Sequence, residues 1–374
     1  MMRPWSGTWI GSVKRGCRND LTESCVAVFE NFVTREPLMY SMTGLGGPRL
    51  DEKTHNNCFE VALMRIAVVG AGGVGGYFGA RLAQSGEDVV FVARGPHLRT
   101  MQKTGLRVDS PTGDFHLQDI LATDDPEKFG PVDYILVAVK AWQLGDALRT
   151  AAPLVGTDTA IIPLLNGVEA AETIARAFGS EHALGGLCGI FSHLEAPGHV
   201  NHLGGGTFIK FGERNNSASP RVERLREALV RSGIDAEITP DIDVAIWQKF
   251  LFIAPASSIG AVTRATYRVM VEMPEVNELL LEVVDEVFRV GQAKGIELEE
   301  AHKEASLDLL RAAPKKGTTS MQRDIENGRP SELEAQTGAV VRLGKCHGVA
   351  TPVCDVLYRC LLPQERRARG ETAF

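Results

Sequence analysis

What this sequence lacks narrows its function before any motif is read. Its seven cysteines (Cys17, Cys25, Cys58, Cys188, Cys346, Cys354 and Cys360) are odd in number and never spaced as C-x-x-C. Neither a disulfide framework nor a zinc knuckle is indicated, and they read as reduced thiols. The chain has no long Lys/Arg run and a formal net charge of -7. Neutralising phosphates needs a basic face, so nucleic acid is not an expected partner. No stretch reaches the roughly 20 uninterrupted apolar residues of a membrane-spanning helix, the longest apolar runs are of strand length, and no membrane partner is expected. A G-x-S-x-G elbow for acyl transfer is missing as well. Internal repeats and low-complexity tracts are absent, and the class that remains is a globular protein acting on a small molecule.

The chain has 374 residues, 44% of them hydrophobic, and 39 glycines. That is enough for two domains, each with its own core. Residues 1–63 show no clear period and read as an appendage. An organellar targeting peptide, a gene start placed upstream of Met64, and a poorly ordered extension are the three explanations. Asp20, Glu23, Glu30, Glu36, Asp51, Glu52 and Glu60 weigh against a transit peptide, which is poor in acids. Cytoplasm is the default location, with organellar import through residues 1–63 the exception.

From Met64 the pattern is βαβ. Arg65 to Val69 reads as a buried strand, Val74 to Ser85 as an amphipathic helix and Asp88 to Ala93 as a second strand. Further strands are expected at Leu106 to Asp109, Tyr134 to Val139, Ala160 to Pro163, Leu184 to Phe191 and Gly206 to Gly212. Strands alternating with helices imply an α/β domain with a Rossmann-type, doubly wound, mostly parallel sheet over residues 64–240. From Val244 onward the apolar positions recur at helical spacing, as in Val276, Leu279, Leu280, Val283, Val284, Val287 and Phe288. An all-helical domain over residues 241–374 follows.

Gly70-Ala71-Gly72-Gly73-Val74-Gly75 fits G-x-G-x-x-G directly after a strand and at the start of a helix. Gly70 suits the tight turn, Gly72 the approach of a pyrophosphate, and Gly75 the close packing of helix on sheet. The helix N-terminus adds N–H groups and partial positive charge. The second strand ends in Arg94, where an NAD site wants an acid for the ribose 2'-hydroxyl. A guanidinium pairs instead with a 2'-phosphate, so the cofactor is expected to be NADP(H).

Four more segments carry a family resemblance: Val139-Lys140-Ala141-Trp142-Gln143, Leu165-Asn166-Gly167-Val168, Trp247-Gln248-Lys249-Phe250 and Thr319-Ser320-Met321-Gln322-Arg323-Asp324-Ile325. With the glycine loop, these five motifs resemble the ketopantoate reductase family in order and rough spacing, over about Arg65 to Pro352. The resemblance implies NADPH-dependent reduction of 2-dehydropantoate to (R)-pantoate, a step of pantothenate and coenzyme A synthesis, in a cleft between the two domains. It implies Lys249 as general acid, Glu332 as a second catalytic residue and a substrate contact, Ser320 at the substrate, Asn166 at both substrate and nicotinamide ribose, and Lys140 near the cofactor. Chemistry agrees about Lys249: hydride addition to a 2-oxo acid leaves negative charge on oxygen, and a lysine both neutralises and protonates it. Lys249 is placed near the start of a helix, with apolar neighbours Phe250 to Ile253. Ser320 heads another helix, as a substrate contact, an N-cap, or both. Glu334 is the alternative to Glu332.

Asn166 and Lys140 each follow a strand, at the sheet end where such folds bind ligands. The family carries asparagines one and two helical turns after its lysine, and here Ile253 and Ser257 stand there; Ser257, or Ser258 beside it, is expected to supply a replacement hydroxyl to the substrate. A more apolar wall is expected. A related reductase of another 2-oxo acid is therefore the second reading, and a noncatalytic NADP(H)-binding regulator the third. His193, His199 and His202 lie at irregular spacing on a Pro/Gly-containing turn, unlike zinc motifs, so no metal is expected. A homodimer is left open.

Overall fold

The computed structural model describes residues 63–371, so the extension expected over residues 1–63 lies, apart from Leu63, outside the described residues. The strands are β1 (Arg65–Val69), β2 (Asp88–Val92), β3 (Leu106–Asp109), β4 (Phe115–Leu117), β5 (Leu121–Thr123) and β6 (Tyr134–Val137). They continue with β7 (Ala160–Pro163), β8 (Leu184–Gly189), β9 (Ser192–Ala196), β10 (His199–His202), β11 (Phe208–Glu213) and β12 (Asp235–Ile238). Helices α1 (Gly73–Gln84), α2 (Gly95–Thr104), α3 (Leu144–Ala151), α4 (Ala170–Phe178) and α5 (Pro220–Arg231) alternate with them.

In β1 every residue but Arg65 is buried. Ile66 and Val68 enter the core on one face of the sheet, Ala67 and Val69 the core on the other, as the period of two dictates. A strand covered on both faces reads as one continuous apolar run, the mark of a central parallel strand. The main sheet runs β5-β2-β1-β6-β7, all parallel. Chain order reverses between β1 and β6, and Val69 lies opposite both Val92 and Val137. The loops that follow β1, β2 and β6 therefore emerge at one carboxyl edge, at the switch point where open α/β sheets bind ligands.

Two smaller sheets are mixed rather than parallel. The order β12-β11-β8 continues the fold beside β7, and β4-β3-β10-β9 packs against α1. The segment read as a turn carrying His193, His199 and His202 is the antiparallel hairpin β9–β10. Strands β4 and β5 were not anticipated because three residues are too few to show a period.

After Ile238 the described residues hold helices only: α6 (Ile242–Thr263), α7 (Tyr267–Glu272), α8 (Pro274–Ala293), α9 (Glu300–Ala312), α10 (Ser320–Glu326), α11 (Thr337–Cys346) and α12 (Pro352–Ala368). The Asp241 side chain caps α6 by accepting from Val244 N at 2.9 Å. Lys249 is not near the start of this helix but a full two turns in, because the cap precedes Ile242. By length and composition α6 could cross a membrane, although Asp243, Gln248, Lys249, Ser257 and Ser258 interrupt its apolar run. Most of it is buried in the domain, with Trp247, Phe250, Leu251 and Ile259 packed against Leu280, Val284 and Val287 of α8.

One histidine fixes the glycine loop. Gly198 N donates to His97 Nδ1 at 2.9 Å, so Nε2 carries the hydrogen and donates to Ala71 O at 2.7 Å. Both ring nitrogens are engaged by the neutral form, and burial holds the His97 pKa below its ordinary value despite the opposing Ala71 bond. The unfolded chain therefore binds this proton first as pH falls. The stabilisation is complete above about pH 6.5 and declines below it. Urea midpoints between pH 7.5 and 5.5 should fall less in His97→Gln, which keeps a donor and an acceptor without titrating. Parallel losses in the two proteins would remove His97 from the account.

Candidate active site

The glycine loop is built by close approach. Gly70 has φ +98°, and a Cβ there would lie 2.9 Å from the Ala138 backbone. At Gly75 a Cβ would sit 2.1 Å from Gly70 O, so only glycine lets α1 pack so near β1. At Gly72, by contrast, a Cβ would meet nothing within 4 Å, and no side chain caps α1. Ala71 is buried under His97, and Gly73 and Val74 open the helix. A turn with open space above it and uncapped N–H groups below fits a pyrophosphate. Arg94, expected to end the second strand, lies two residues beyond β2 as the N-cap residue of α2, its side chain exposed and, among the described residues, in no ion pair.

Across this edge the helical domain brings its own groups. Lys249 Nζ donates to Cys188 O, at the end of β8, at 2.8 Å. Lys249 and Asn166 line one small cleft together with Leu165, Leu187, Phe250 and Ile253. Asn166 Nδ2 donates to Glu332 Oε2 at 3.0 Å, and Ala141 N donates to Glu332 Oε1 at 3.2 Å. Glu332 is only 4% exposed, so these donors from the β6 and β7 loops are what make its charge tolerable there. The Cys188 thiol registers the same convergence: burial pushes its pKa up, the Lys249 charge pulls it back, and Glu332 adds to the rise.

The other expected site residues fall into place unevenly. Lys140 lies three residues beyond β6 rather than at its end, and its Nζ pairs with Asp324 of α10 at 2.8 Å, across the domains. Asp324 also accepts from Arg329. Ser320 is the first residue of α10; the N-cap is Thr319, whose hydroxyl accepts from Gln322 N at 3.1 Å. Ser320 does not line the cleft around Lys249. Ser257 is fully buried two turns beyond Lys249, its Oγ without a partner, and does not reach that cleft either. Ser258 spends its hydroxyl on Ala254 O and Pro255 O. Glu334 is taken by Tyr358 and Arg342, leaving Glu332 to meet Asn166.

The histidines are engaged separately: His193 with Glu195, His199 with Asp109, His202 with Ser110. Among the described residues no group of three or more His, Cys, Asp and Glu comes together as a metal site would require.

Reading the sequence missed Gln336. It is fully buried, its Nε2 lies 3.5 Å from Glu332 Oε2, and its Oε1 has no partner. A glutamine four residues after a glutamate was the available signal, and a turn in which Gln336 N donates to Glu332 O at 3.0 Å brings the two together. His97 and Cys188 act through backbone contacts that no motif announces, and Asp324 lies within a quoted motif but was given no role there.

The model of ketopantoate reductase PanE/ApbA matches residues 66–216, and that of its C-terminal part matches residues 241–365. The chain is 33% identical over 297 residues to an uncharacterized oxidoreductase of Bacillus subtilis strain 168, covering 79% of this chain and 97% of that protein. It is 30% identical over 318 residues to a 2-dehydropantoate 2-reductase of Mesorhizobium japonicum, covering 79% and 95%. Its structure is similar to that of D-mandelate dehydrogenase with NADH and anilino(oxo)acetate, at TM-score 0.75 and 26% identity, over 82% of this chain and 99% of that one. With both parts of the family's architecture matched in order, the chain belongs to the ketopantoate reductase family.

Proposed function

We propose that this protein reduces a 2-oxo acid with NADPH, 2-dehydropantoate to pantoate foremost, which assigns it to pantothenate and coenzyme A synthesis. The observation that carries the reading is that Lys249 and Asn166 share one cleft, with Glu332 bound to Asn166, at the sheet edge that also bears the glycine loop.

In this reading Gly70 to Gly75 and the α1 N-terminus hold the pyrophosphate, Arg94 the 2'-phosphate, and Lys140 and Asn166 the nicotinamide end. NADPH supplies the hydride when bound. Lys249 neutralises the charge that develops on the substrate oxygen and delivers a proton to it from Nζ. Its hydrogen bond to Cys188 O holds that nitrogen at the cleft in the meantime. Glu332 aligns the Asn166 amide, and Ala141 N and Gln336 support the carboxylate from either side. Ser320 takes the substrate carboxylate only if the cleft extends on binding.

A second reading has its own support. Ile253 lines the cleft where the family resemblance calls for asparagine, and the D-mandelate dehydrogenase structure is similar to this one. Both favour a 2-oxo acid with a more apolar substituent than that of ketopantoate. The same dehydrogenase was solved with NADH, against which stands Arg94 in place of the acid an NAD site prefers.

Four measurements bear on this. Lys249→Ala should lower turnover by roughly 10²- to 10⁴-fold while NADPH affinity is kept; equal loss of both would make the lysine structural. Arg94→Asp should weaken NADPH far more than NADH, and parallel changes would place the 2'-phosphate elsewhere. Across a panel of 2-oxo acids under saturating NADPH, ketopantoate should have the highest kcat/KM; a preference for an apolar acid would establish the second reading. Ile253→Asn should shift the ratio of ketopantoate to an apolar acid upward by about 1 kcal/mol, roughly fivefold, and an unchanged ratio would separate Ile253 from specificity.

A further inference from the structure

A second cavity, of about 200 Å³, opens between the domains next to the Lys249 cleft. The two share Leu165, Gly167, Gly186 and Ile246 as a common wall. Four charged residues line the second cavity: Glu172 and Arg214 from the Rossmann-like side, Asp243 and Lys294 from the helical side. Two of them are matched to each other, since Lys294 Nζ meets Glu172 Oε1 at 2.6 Å.

The other two are not. Arg214 Nε is sealed from solvent and has no hydrogen-bond partner. Asp243, in the first turn of α6, is half-buried. Burial pushes its carboxyl up from the ordinary value, and Arg214 draws it back by charge alone, with no direct ion pair between them. A guanidinium and a carboxylate thus face one cavity, unjoined. Leaving such groups partly desolvated and unpaired is costly, so a molecule that satisfies both is favoured there.

The lining restricts what that molecule is. An apolar ligand would strand four charged walls. A simple anion would meet Asp243 and Glu172, and a simple cation would meet Arg214 and Lys294. The volume falls below the roughly 300–1,000 Å³ of sites for drug-sized ligands, which excludes a nucleotide. We propose that this cavity is a binding site for a small zwitterion of the α-amino acid class, its carboxylate on Arg214 and its ammonium on Asp243. Such a ligand joins the domains across the wall, Ile246 included, that this cavity shares with the reaction cleft. The site is independent of which 2-oxo acid is reduced.

Calorimetry and thermal shift on the full-length protein, without turnover, test this. The probes are glycine, alanine, serine, aspartate and valine, each beside the matching carboxylic acid without the amine and the matching amine without the carboxylate. At least one amino acid should bind saturably, and at least about tenfold more tightly than either half-ligand. Arg214→Met and Asp243→Asn should each lose that binding while retaining reductase turnover measured without amino acid. No saturable binding by any of the five, equal binding of a half-ligand, or undiminished binding in a folded Arg214→Met protein would overturn the proposal. The half-ligand comparison uses the unaltered protein, so it decides the matter even where a variant does not fold.

Discussion

Burying the Glu332 carboxylate between two domains is the constraint from which the arrangement of the site follows. A charge this well shielded persists only where donors surround it, and here the donors are Ala141 N from the β6 loop, Asn166 from the β7 loop and Gln336 from its own domain. Two loops of the Rossmann-like sheet are thereby tied to the segment just before α11. In the same helical domain α6 brings Lys249 to the end of β8.

Other charged contacts cross the same boundary, each weaker because more exposed. Lys140 pairs with Asp324, Lys294 with Glu172 and Arg342 with Glu169. Partly exposed pairs contribute little to stability, yet they set orientation, and their placement around the rim leaves the cleft and the charged cavity open between the domains. Interfaces of this polar kind are those in which domains move relative to each other. A reductase that must admit and release both substrate and cofactor needs that freedom.

The chemistry divides along the same line. The Rossmann-like part offers fixed N–H groups and glycine-lined space, features of backbone geometry. The helical part offers the titratable side chain, Lys249, anchored to a carbonyl of the other part. Neither half holds a working set of groups by itself. Ile253, one helical turn after Lys249, gives the same cleft an apolar wall.

Much was legible in the chain alone, for identifiable reasons. Strand β1 and the glycine loop could be read because a doubly covered strand must be continuously apolar and a close helix–strand approach must be glycine. The changeover to helices showed in the period, and Lys249, Asn166 and Glu332 were reached through motifs. Short strands such as β4 and β5 carry no period, and Thr319 rather than Ser320 took the cap, a one-residue shift of the kind to which helix boundaries are prone. What only the tertiary structure decided are the contacts between residues far apart in sequence, Asn166 with Glu332, Lys140 with Asp324 and Lys249 with the Cys188 carbonyl, and the cavity that Arg214 and Asp243 line without an ion pair between them. Local sequence determines dihedral preference and which face is apolar, but which charge meets which across a domain boundary depends on how two finished cores dock.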